Sequence, residues 1–193
     1  SSGGAVYGEA TTQTIKESQC LNPLSYYGLS KKRIEDFIRF EARVNDLKYL
    51  ILRPSNPYGG YEKFDVEHGL ILTIINCIKR KSELNIFVNE NTTRDFIHIE
   101  ELIDVTLRLL GSEDKSGIFN IGCGVGYSIL DICEYFAKDF PDRFMFKYQD
   151  FPERDVRASV LCVQKLNENY PDRLKIPFSE GMRKISEYIR KII

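Results

Sequence analysis

Residues 25–52 read SYYGLSKKRIEDFIRFEARVNDLKYLIL, an amphipathic stretch followed by a short apolar run. Apolar residues in the first part recur mostly three and four positions apart, which predicts a helix over residues 25–43 with one buried stripe: Leu29, Ile34, Phe37, Ile38 and Ala42. The run YLIL at 49–52 predicts a strand covered on both faces of a parallel sheet. A helix that leads directly into such a strand indicates the α/β class.

The rest of the chain continues this alternation. Apolar periodicity predicts helices over residues 70–78, 99–110, 128–140 and, with one face formed by Met182, Ile185, Ile189 and Ile192, at the end of the chain. Short apolar runs predict strands over residues 84–88, 95–99, 118–121 and 144–148. Residues 54–60 contain two prolines and two glycines, which predicts a loop at the carboxyl end of a strand, where open α/β sheets bind ligands. Ser128 and Asp131 match a capping box that begins the helix there.

Composition excludes several classes of protein. The 193 residues include 27 Lys plus Arg and 28 Asp plus Glu, a net charge of -1, so nothing indicates a nucleic-acid partner. Five irregularly spaced cysteines without a C-x-x-C pair predict neither a disulfide framework nor a zinc site, and a reduced, cytoplasmic setting is expected.

No stretch approaches the ~20 apolar residues that span a bilayer, so no membrane association is expected. His68 and His98 are too isolated to bind a metal, and none is expected.

Tyr27 and Lys31 are four residues apart at the start of a predicted helix, so their side chains share a face. A phenol with a pKa of ~10 is a poor base at neutral pH unless a nearby cation favours the phenolate, and Lys31 provides one. Ordinary amphipathic helices often contain the same pair. The spacing by itself therefore favours the ordinary helix.

Five motifs in register change this interpretation. They are SSGGAVYG at 1–8, YGLSK at 27–31, LRPSNPYG at 52–59, RDFIH at 94–98 and FNIG at 119–122. In this order they resemble the extended short-chain dehydrogenase/reductases, and most closely UDP-glucose 4-epimerase and related nucleotide-sugar epimerases. The resemblance covers nearly the whole chain.

The resemblance implies an incomplete Rossmann-like parallel sheet plus a smaller α/β substrate-binding domain. Residues 1–57 would be the remnant of the NAD-binding domain, and residues 58–193 would bind a nucleotide sugar, with 94–120 as a segment that could return to the Rossmann sheet. No strand, glycine-rich turn and helix for the dinucleotide pyrophosphate precede Tyr27. The chain is therefore expected to be the carboxyl-terminal portion of such an enzyme, unable to bind NAD by the usual route and inactive alone.

The resemblance also implies the roles of the catalytic and cofactor residues. Tyr27 would be the catalytic acid/base, Lys31 would lower its pKa and hold the nicotinamide ribose, and Pro54 would contact the cofactor. The family's Ser or Thr stands where this chain has Gly3. Ser2 is the nearest hydroxyl and is the candidate for contact with the substrate oxygen, but one step along a strand places it on the opposite face.

Substrate contacts follow from the same motifs. Asn56 and Arg94 match positions that contact the diphosphate, a role that suits the planar guanidinium fork. Asn56 could equally be a turn residue, and Arg94 could instead pair with Asp95 or Glu100.

Further substrate contacts are expected on other segments. The strand that includes Asn85 and Phe87 would present its backbone to uracil. Asp155 matches a substrate-binding position as well. Pro152 stands where relatives have an arginine three residues before Asp155, so either Arg154 or Arg157 takes its place or the diphosphate is held more weakly.

Residues 122–126 (GCGVG) follow a predicted strand but lack the full G-x-G-x-x-G spacing, and we interpret them as a structural turn.

The intact protein is expected to be an NAD-dependent UDP-sugar 4-epimerase and a homodimer. Alternatives are a related dehydratase or decarboxylase, which tend to have an acid before Val-Tyr-Gly where this chain has Gly4 and Ala5, or a truncated, non-catalytic module that binds a nucleotide sugar.

Overall fold

The computed structural model describes residues 3–9, 13–60, 69–88, 92–112, 116–149 and 158–193. A single 3-10 turn, Gly4–Val6, precedes the α-helices. The helices are α1 Tyr26–Val44, α2 Leu70–Arg80, α3 Ile99–Leu110, α4 Ile129–Asp139, α5 Gln164–Asn169 and α6 Phe178–Ile192. The strands are β1 Leu50–Pro54, β2 Asn56–Tyr58, β3 Glu83–Phe87, β4 Thr93–His98, β5 Gly117–Ile121, β6 Gly126–Ser128, β7 Met145–Gln149 and β8 Ala158–Ser159.

Most strand pairs are parallel, which confirms the α/β class. β1 pairs with β5, and β3 pairs with β7, both in parallel. β4 is the central strand of a third group, in which β2 and β8 are parallel to it and β6 is antiparallel. β5 therefore pairs with β1, although β2, β3 and β4 lie between the two strands in the sequence. The predicted division at residue 57 stays a prediction.

Two buried clusters form the core. The first lies among α2, α4, α6 and β3 and includes Ile74, Ile78, Phe136, Phe144 and Ile185. The second lies among the 3-10 turn, α3, β5 and α5 and includes Val6, Tyr7, Val105, Phe119 and Leu166. Burial of these side chains is the main contribution to the stability of the fold.

Serine side chains cap the starts of two helices. The Ser25 hydroxyl accepts a hydrogen bond from the Gly28 amide at 3.0 Å, and α1 begins at the next residue, Tyr26. Ser128 accepts from the Asp131 amide at 3.3 Å and begins α4 in the same way. The predicted start of the helix at Ser128 is confirmed.

The predicted buried stripe of α1 is wrong. Leu29, Ile34 and Phe37 are exposed, because the face of the helix that packs on the 3-10 turn carries Gly28, and the buried residues of α1 are Gly28 and Glu35.

Three other local predictions are wrong. Residues 54–60, predicted as a loop, contain β2, because β4 pairs with it and aligns Asn56 with Phe96. Gly4–Val6 forms a 3-10 turn where a strand was expected before Tyr7, and the turn is entered through Gly3 at a φ of 70°. β1 was expected to be covered on both faces, yet only Ile51 and Arg53 are buried, while the alternate residues are half-buried.

Two negative findings apply to the same described part of the chain. Its helices include none with the length and apolar character needed to span a membrane. Its His, Cys, Asp and Glu side chains nowhere form a group of three that could bind a metal. All five cysteines are free thiols.

Gly181 tests the packing of α6 against β2. A Cβ at this position would collide with the Tyr58 phenol oxygen and lie 2.7 Å from its Cε2 atom. We expect Gly181→Ala to lower the free energy of unfolding by about 1–3 kcal/mol, because overpacking outweighs the roughly 1 kcal/mol that Ala gains over Gly in a helix. Urea denaturation measures the change. Gly60→Ala is the control, since a Cβ there meets nothing within 4 Å; an equal loss in both variants would contradict the packing argument.

Candidate active site and its buried supports

Tyr27 lies in the first turn of α1, next to an open cavity. Its side chain is half exposed, and the Lys31 ammonium lies 5.5 Å from the centre of its ring. The helix thus places the phenol and the cation side by side, as the four-residue spacing predicts. Their roles as acid/base and cation stay a prediction.

Gly28 permits α1 to approach the 3-10 turn. A Cβ on Gly28 would collide with the Ala5 carbonyl oxygen and lie 2.8 Å from the Pro23 Cβ. Because only a residue without a side chain fits, Tyr27 is held next to the Gly4–Val6 turn.

Two adjoining cavities meet at the ends of β1, β2 and β4. The first has a volume of about 420 Å³ and a mostly apolar lining that includes Tyr58, Leu70, Ile71, Ile75, Phe96 and Ile129. The second has a volume of about 500 Å³ and is lined by Tyr27, Pro54 and Ser55 and by Gly3, Gly4, Ala5, Gly8, Leu24, Ser25 and Ser159. Asn56, Pro57 and Arg94 line both cavities, so these residues form the boundary between them.

The second cavity brings together four residues that the sequence singled out. Tyr27, Pro54, Asn56 and Arg94 come from α1, β1, β2 and β4 and line one space. Ser159 lines it too, because β8 pairs with β4 and aligns this residue with Arg94. No sequence signal indicated Ser159, since its place depends on that strand pairing.

The other predicted contacts have different outcomes. Asn85 and Phe87 lie on β3, are exposed, and line neither of the two cavities. Their contact with uracil stays a prediction. Ser2, Arg154 and Asp155 lie outside the described residues, as does His68.

Asp95 is fully buried beside Arg94 and binds backbone amides. Its carboxylate accepts hydrogen bonds from the N–H groups of Cys123, Gly124 and Leu161 at 3.0, 3.1 and 3.2 Å. Burial raises the pKa of Asp95 to about 6, and these three donors counteract part of the rise. The sequence had suggested Asp95 only as a partner for the Arg94 guanidinium and gave no sign of these amide donors.

The glycine-rich turn at 122–126 is shaped by the same carboxylate. A Cβ on Gly122 would lie 2.5 Å from Asp95 Oδ2. The Cys123 and Gly124 amides already donate to Asp95, so they are not available to bind a pyrophosphate. The geometry therefore supports the interpretation of this segment as a structural turn.

A buried network fastens α1 to β1. Arg53 donates to Glu35 through Nε at 2.9 Å and through Nη2 at 2.5 Å, and both side chains are almost fully buried. Arg53 Nη1 also donates to the Tyr7 phenol oxygen at 2.8 Å, and that phenol donates to Asn120 Oδ1 at 2.6 Å. Glu35 follows Lys31 by four residues and Tyr27 by eight, so the Glu35–Arg53 pair fixes the side of α1 that Tyr27 and Lys31 share.

Burial also determines the state of two other groups. It raises the pKa of Tyr7 to about 12, so this phenol stays protonated and can donate to Asn120. It lowers the pKa of His98, whose Nδ1 accepts from the Glu100 amide at 3.3 Å and caps α3. Both side chains thus act as parts of the scaffold.

Comparison with known proteins identifies the family of the chain. A model of the NAD dependent epimerase/dehydratase family matches residues 1–122. The chain belongs to this family.

Individual relatives within the NAD-dependent epimerase/dehydratase family differ in activity. A dTDP-4-dehydro-6-deoxyglucose reductase of Escherichia coli is 30% identical over 98% of this chain and 60% of its own length. A UDP-glucose 4-epimerase of Mycolicibacterium smegmatis is 27% identical over 98% of this chain and 61% of its own. The crystal structure of UDP-glucose 4-epimerase from Thermotoga maritima with UDP-glucose has a TM-score of 0.86 and 29% identity, over 98% of this chain and 62% of that one. The chain thus spans about three fifths of the length of these family members.

Removal of the Glu35 carboxylate tests the buried network. We expect Glu35→Ala to lower the free energy of unfolding by about 3–5 kcal/mol, because it leaves the Arg53 guanidinium buried without its counter-charge. Chemical denaturation measures the loss. Asp36→Ala is the matched control on the same helix: its partner Arg39 is 43% exposed, so we expect a change below about 1 kcal/mol. Similar losses in both variants would contradict the structural role of the pair.

Proposed function

We propose that the protein is an NAD-dependent enzyme that acts at C4 of a UDP-sugar, and that it interconverts UDP-glucose and UDP-galactose. One observation carries the proposal: two cavities adjoin at Asn56, Pro57 and Arg94, and one of them has Tyr27 in its wall. A UDP-sugar has the matching shape, since a nucleoside and a hexose are joined by an anionic diphosphate. The mostly apolar cavity takes the nucleoside, and the Tyr27 cavity takes the hexose.

Arg94 binds the diphosphate at the boundary between the cavities. A guanidinium stays charged at neutral pH and can donate two parallel hydrogen bonds to phosphate oxygens. Asn56 lies on the same boundary, where one N–H of its amide Nδ2 donates to the Asp95 carbonyl oxygen at 2.8 Å and the second can donate to a phosphate oxygen. Binding of the diphosphate orients the hexose toward Tyr27.

Tyr27 removes the proton from the sugar 4-hydroxyl and returns it after the 4-keto sugar has turned over in the cavity. The Lys31 ammonium, 5.5 Å from the centre of the Tyr27 ring, supplies the neighbouring positive charge. Gly4 and Ala5 line the cavity where related dehydratases and decarboxylases tend to have an acid. The lack of a carboxyl group in this part of the wall favours simple epimerisation.

The residues around the second cavity fit the nicotinamide end of NAD. Tyr27 and Pro54 line the cavity and Lys31 lies beside the Tyr27 ring, so these three would hold the nicotinamide ribose. When bound there, NAD supplies the hydride acceptor for C4 of the sugar. The amides of the glycine-rich turn are occupied by Asp95, so the pyrophosphate must be bound elsewhere.

The E. coli relative supports a second candidate, reduction of a 4-keto nucleotide sugar. In this reaction Tyr27 would protonate the oxygen at C4 instead of removing a proton. The two candidates differ in their cofactor balance: a reductase consumes reduced nicotinamide as product forms, whereas an epimerase leaves the cofactor unchanged at the end of each turnover.

Tyr27→Phe tests the proposed chemistry. We expect kcat for the conversion of UDP-glucose to UDP-galactose to fall by about 10²–10⁴-fold with no change in stability, because only the proton-transferring hydroxyl is lost. Product is measured by chromatography with the protein expressed from its whole gene. Tyr26→Phe is the matched control, since Tyr26 is adjacent but 93% exposed. A near-normal rate for Tyr27→Phe would exclude this residue from the mechanism.

Calorimetric titration of the 193-residue chain with UDP and with NAD, together with activity assays of the whole-gene protein, distinguishes an NAD-dependent enzyme from a non-catalytic module that binds a nucleotide sugar. If the chain binds UDP and the whole-gene protein shows neither epimerase nor reductase activity, a non-catalytic nucleotide-sugar module is favoured. Failure to bind UDP would overturn the proposed substrate class.

We also propose that the protein forms a homodimer through α1. The face of α1 that carries Gly28 and Glu35 is buried, while the opposite face exposes an apolar stripe of Tyr26, Leu29, Phe37, Phe40 and Val44. A twofold interface joins a surface to its own copy, so one such stripe is sufficient to form a dimer. Exposed apolar residues grouped on one face of a helix favour such burial.

Phe37→Glu tests the dimer. We expect the wild-type protein to sediment as a dimer and this variant as a monomer at micromolar concentration, because a charge in the centre of the stripe opposes burial. Analytical ultracentrifugation measures the mass. Arg39→Glu, on the same helix but outside the stripe, should leave the dimer intact. A monomeric wild type or a dimeric Phe37→Glu would contradict the proposal.

A further inference from the structure

We propose that Asp95 is the positioning residue of the diphosphate-binding wall: its buried carboxylate fixes β4 and thereby the places of Arg94 and Ser159, and its backbone carbonyl oxygen holds Asn56. The inference rests on the proposed function, in which this wall binds the diphosphate of UDP. Asp95 itself lines neither cavity and would not touch the substrate.

Asp95 connects three separate segments of the chain. Oδ1 accepts from the Cys123 amide, and Oδ2 accepts from the Gly124 and Leu161 amides. Its backbone carbonyl oxygen accepts from Asn56 Nδ2 at 2.8 Å. One residue of β4 therefore holds the turn after β5, the segment after β8, and β2.

The hydrogen bonds of Asp95 also position the wall residues, because they fix the strand that carries or aligns them. Adjacent residues of a strand face opposite sides, so the Arg94 side chain reaches the cavities while that of Asp95 is buried. The register aligns Arg94 with Ser159 on β8 and Phe96 with Asn56 on β2. A displacement of β4 would therefore move all three wall residues together.

The carboxylate is the group that suits this position. An ionised carboxylate only accepts hydrogen bonds, and three converging N–H groups need only acceptors. An amide at position 95 would direct an NH2 group at one of these donors and leave a buried N–H unsatisfied. Gly122 adds a steric restraint, since a Cβ there would lie 2.5 Å from Oδ2.

Two variants disturb this anchor without removing a wall residue. Asp95→Asn removes one acceptor, and Gly122→Ala pushes the turn away from an intact carboxylate. We expect each to weaken UDP binding by about tenfold or more, since small displacements of positioning groups are costly. Calorimetry with UDP on the 193-residue chain measures Kd. If Asp95→Asn does not fold, Gly122→Ala provides the test.

The controls separate positioning from general loss of stability. Leu109→Ala removes fully buried volume from α3, outside both cavities, and should leave Kd for UDP within about twofold. Arg94→Ala should weaken UDP binding directly. If Asp95 acts through Arg94, the double variant Arg94→Ala/Asp95→Asn should lose less affinity than the product of the two single effects.

The outcomes distinguish this inference from the proposed function. Absence of UDP binding by the wild-type chain would overturn the proposed function and, with it, the inference. Wild-type UDP binding, together with folded Asp95→Asn and Gly122→Ala variants that bind UDP within twofold of it, would overturn only the positioning role. An equal loss of affinity in Leu109→Ala, or fully multiplicative effects in the double variant, would also overturn it.

Discussion

A carboxylate that is wholly withdrawn from water has to find its hydrogen bonds within the protein, and Asp95 finds three of them in backbone amides. Burial of the charge is unfavourable in itself, which is why the pKa of this group rises to about 6. The donors come from segments far apart in the sequence, so the charge is satisfied only when β4, the turn at 122–124 and Leu161 are all in place. The geometry of the cavity wall depends on this condition.

The Glu35–Arg53 pair imposes a similar condition on the other side of the site. The two charges are almost fully buried and bind through two hydrogen bonds, so α1 cannot rotate about its axis without breaking the pair. Tyr7 and Asn120 extend the network to the 3-10 turn and β5. The half-exposed Tyr27 thus lies two turns before a buried charge on the same side of α1. The buried hydrogen bonds of Arg53 thus hold α1 in place, while the Tyr27 side chain remains accessible to a ligand.

Long segments with periodic apolar residues were predictable as helices, but the spacing did not predict which face of α1 is buried: its apolar residues Leu29 and Phe37 are exposed, and Glu35 is buried. Residues 25–43 and 99–110 were expected to be helices and match α1 and α3 closely. Short segments whose structure depends on a partner strand were not predictable. β2 lies in a stretch with two prolines and two glycines, which locally favours a loop, and it becomes a strand because β4 pairs with it. β8 has two residues, too few to show any periodicity.

The candidate site divides in the same way. The chemistry of its parts was determined by the sequence alone: a phenol and an ammonium one helical turn apart, an arginine in RDFIH, and an asparagine between two prolines. Only the tertiary structure decided that Tyr27, Asn56 and Arg94 line one space, that Ser159 joins them, and that Asp95 and Glu35 are buried supports. The physical reason is that residue type and local spacing express side-chain chemistry and burial along one element, whereas these contacts join residues tens of positions apart. Such contacts form only when strand pairing and buried charges bring the elements together.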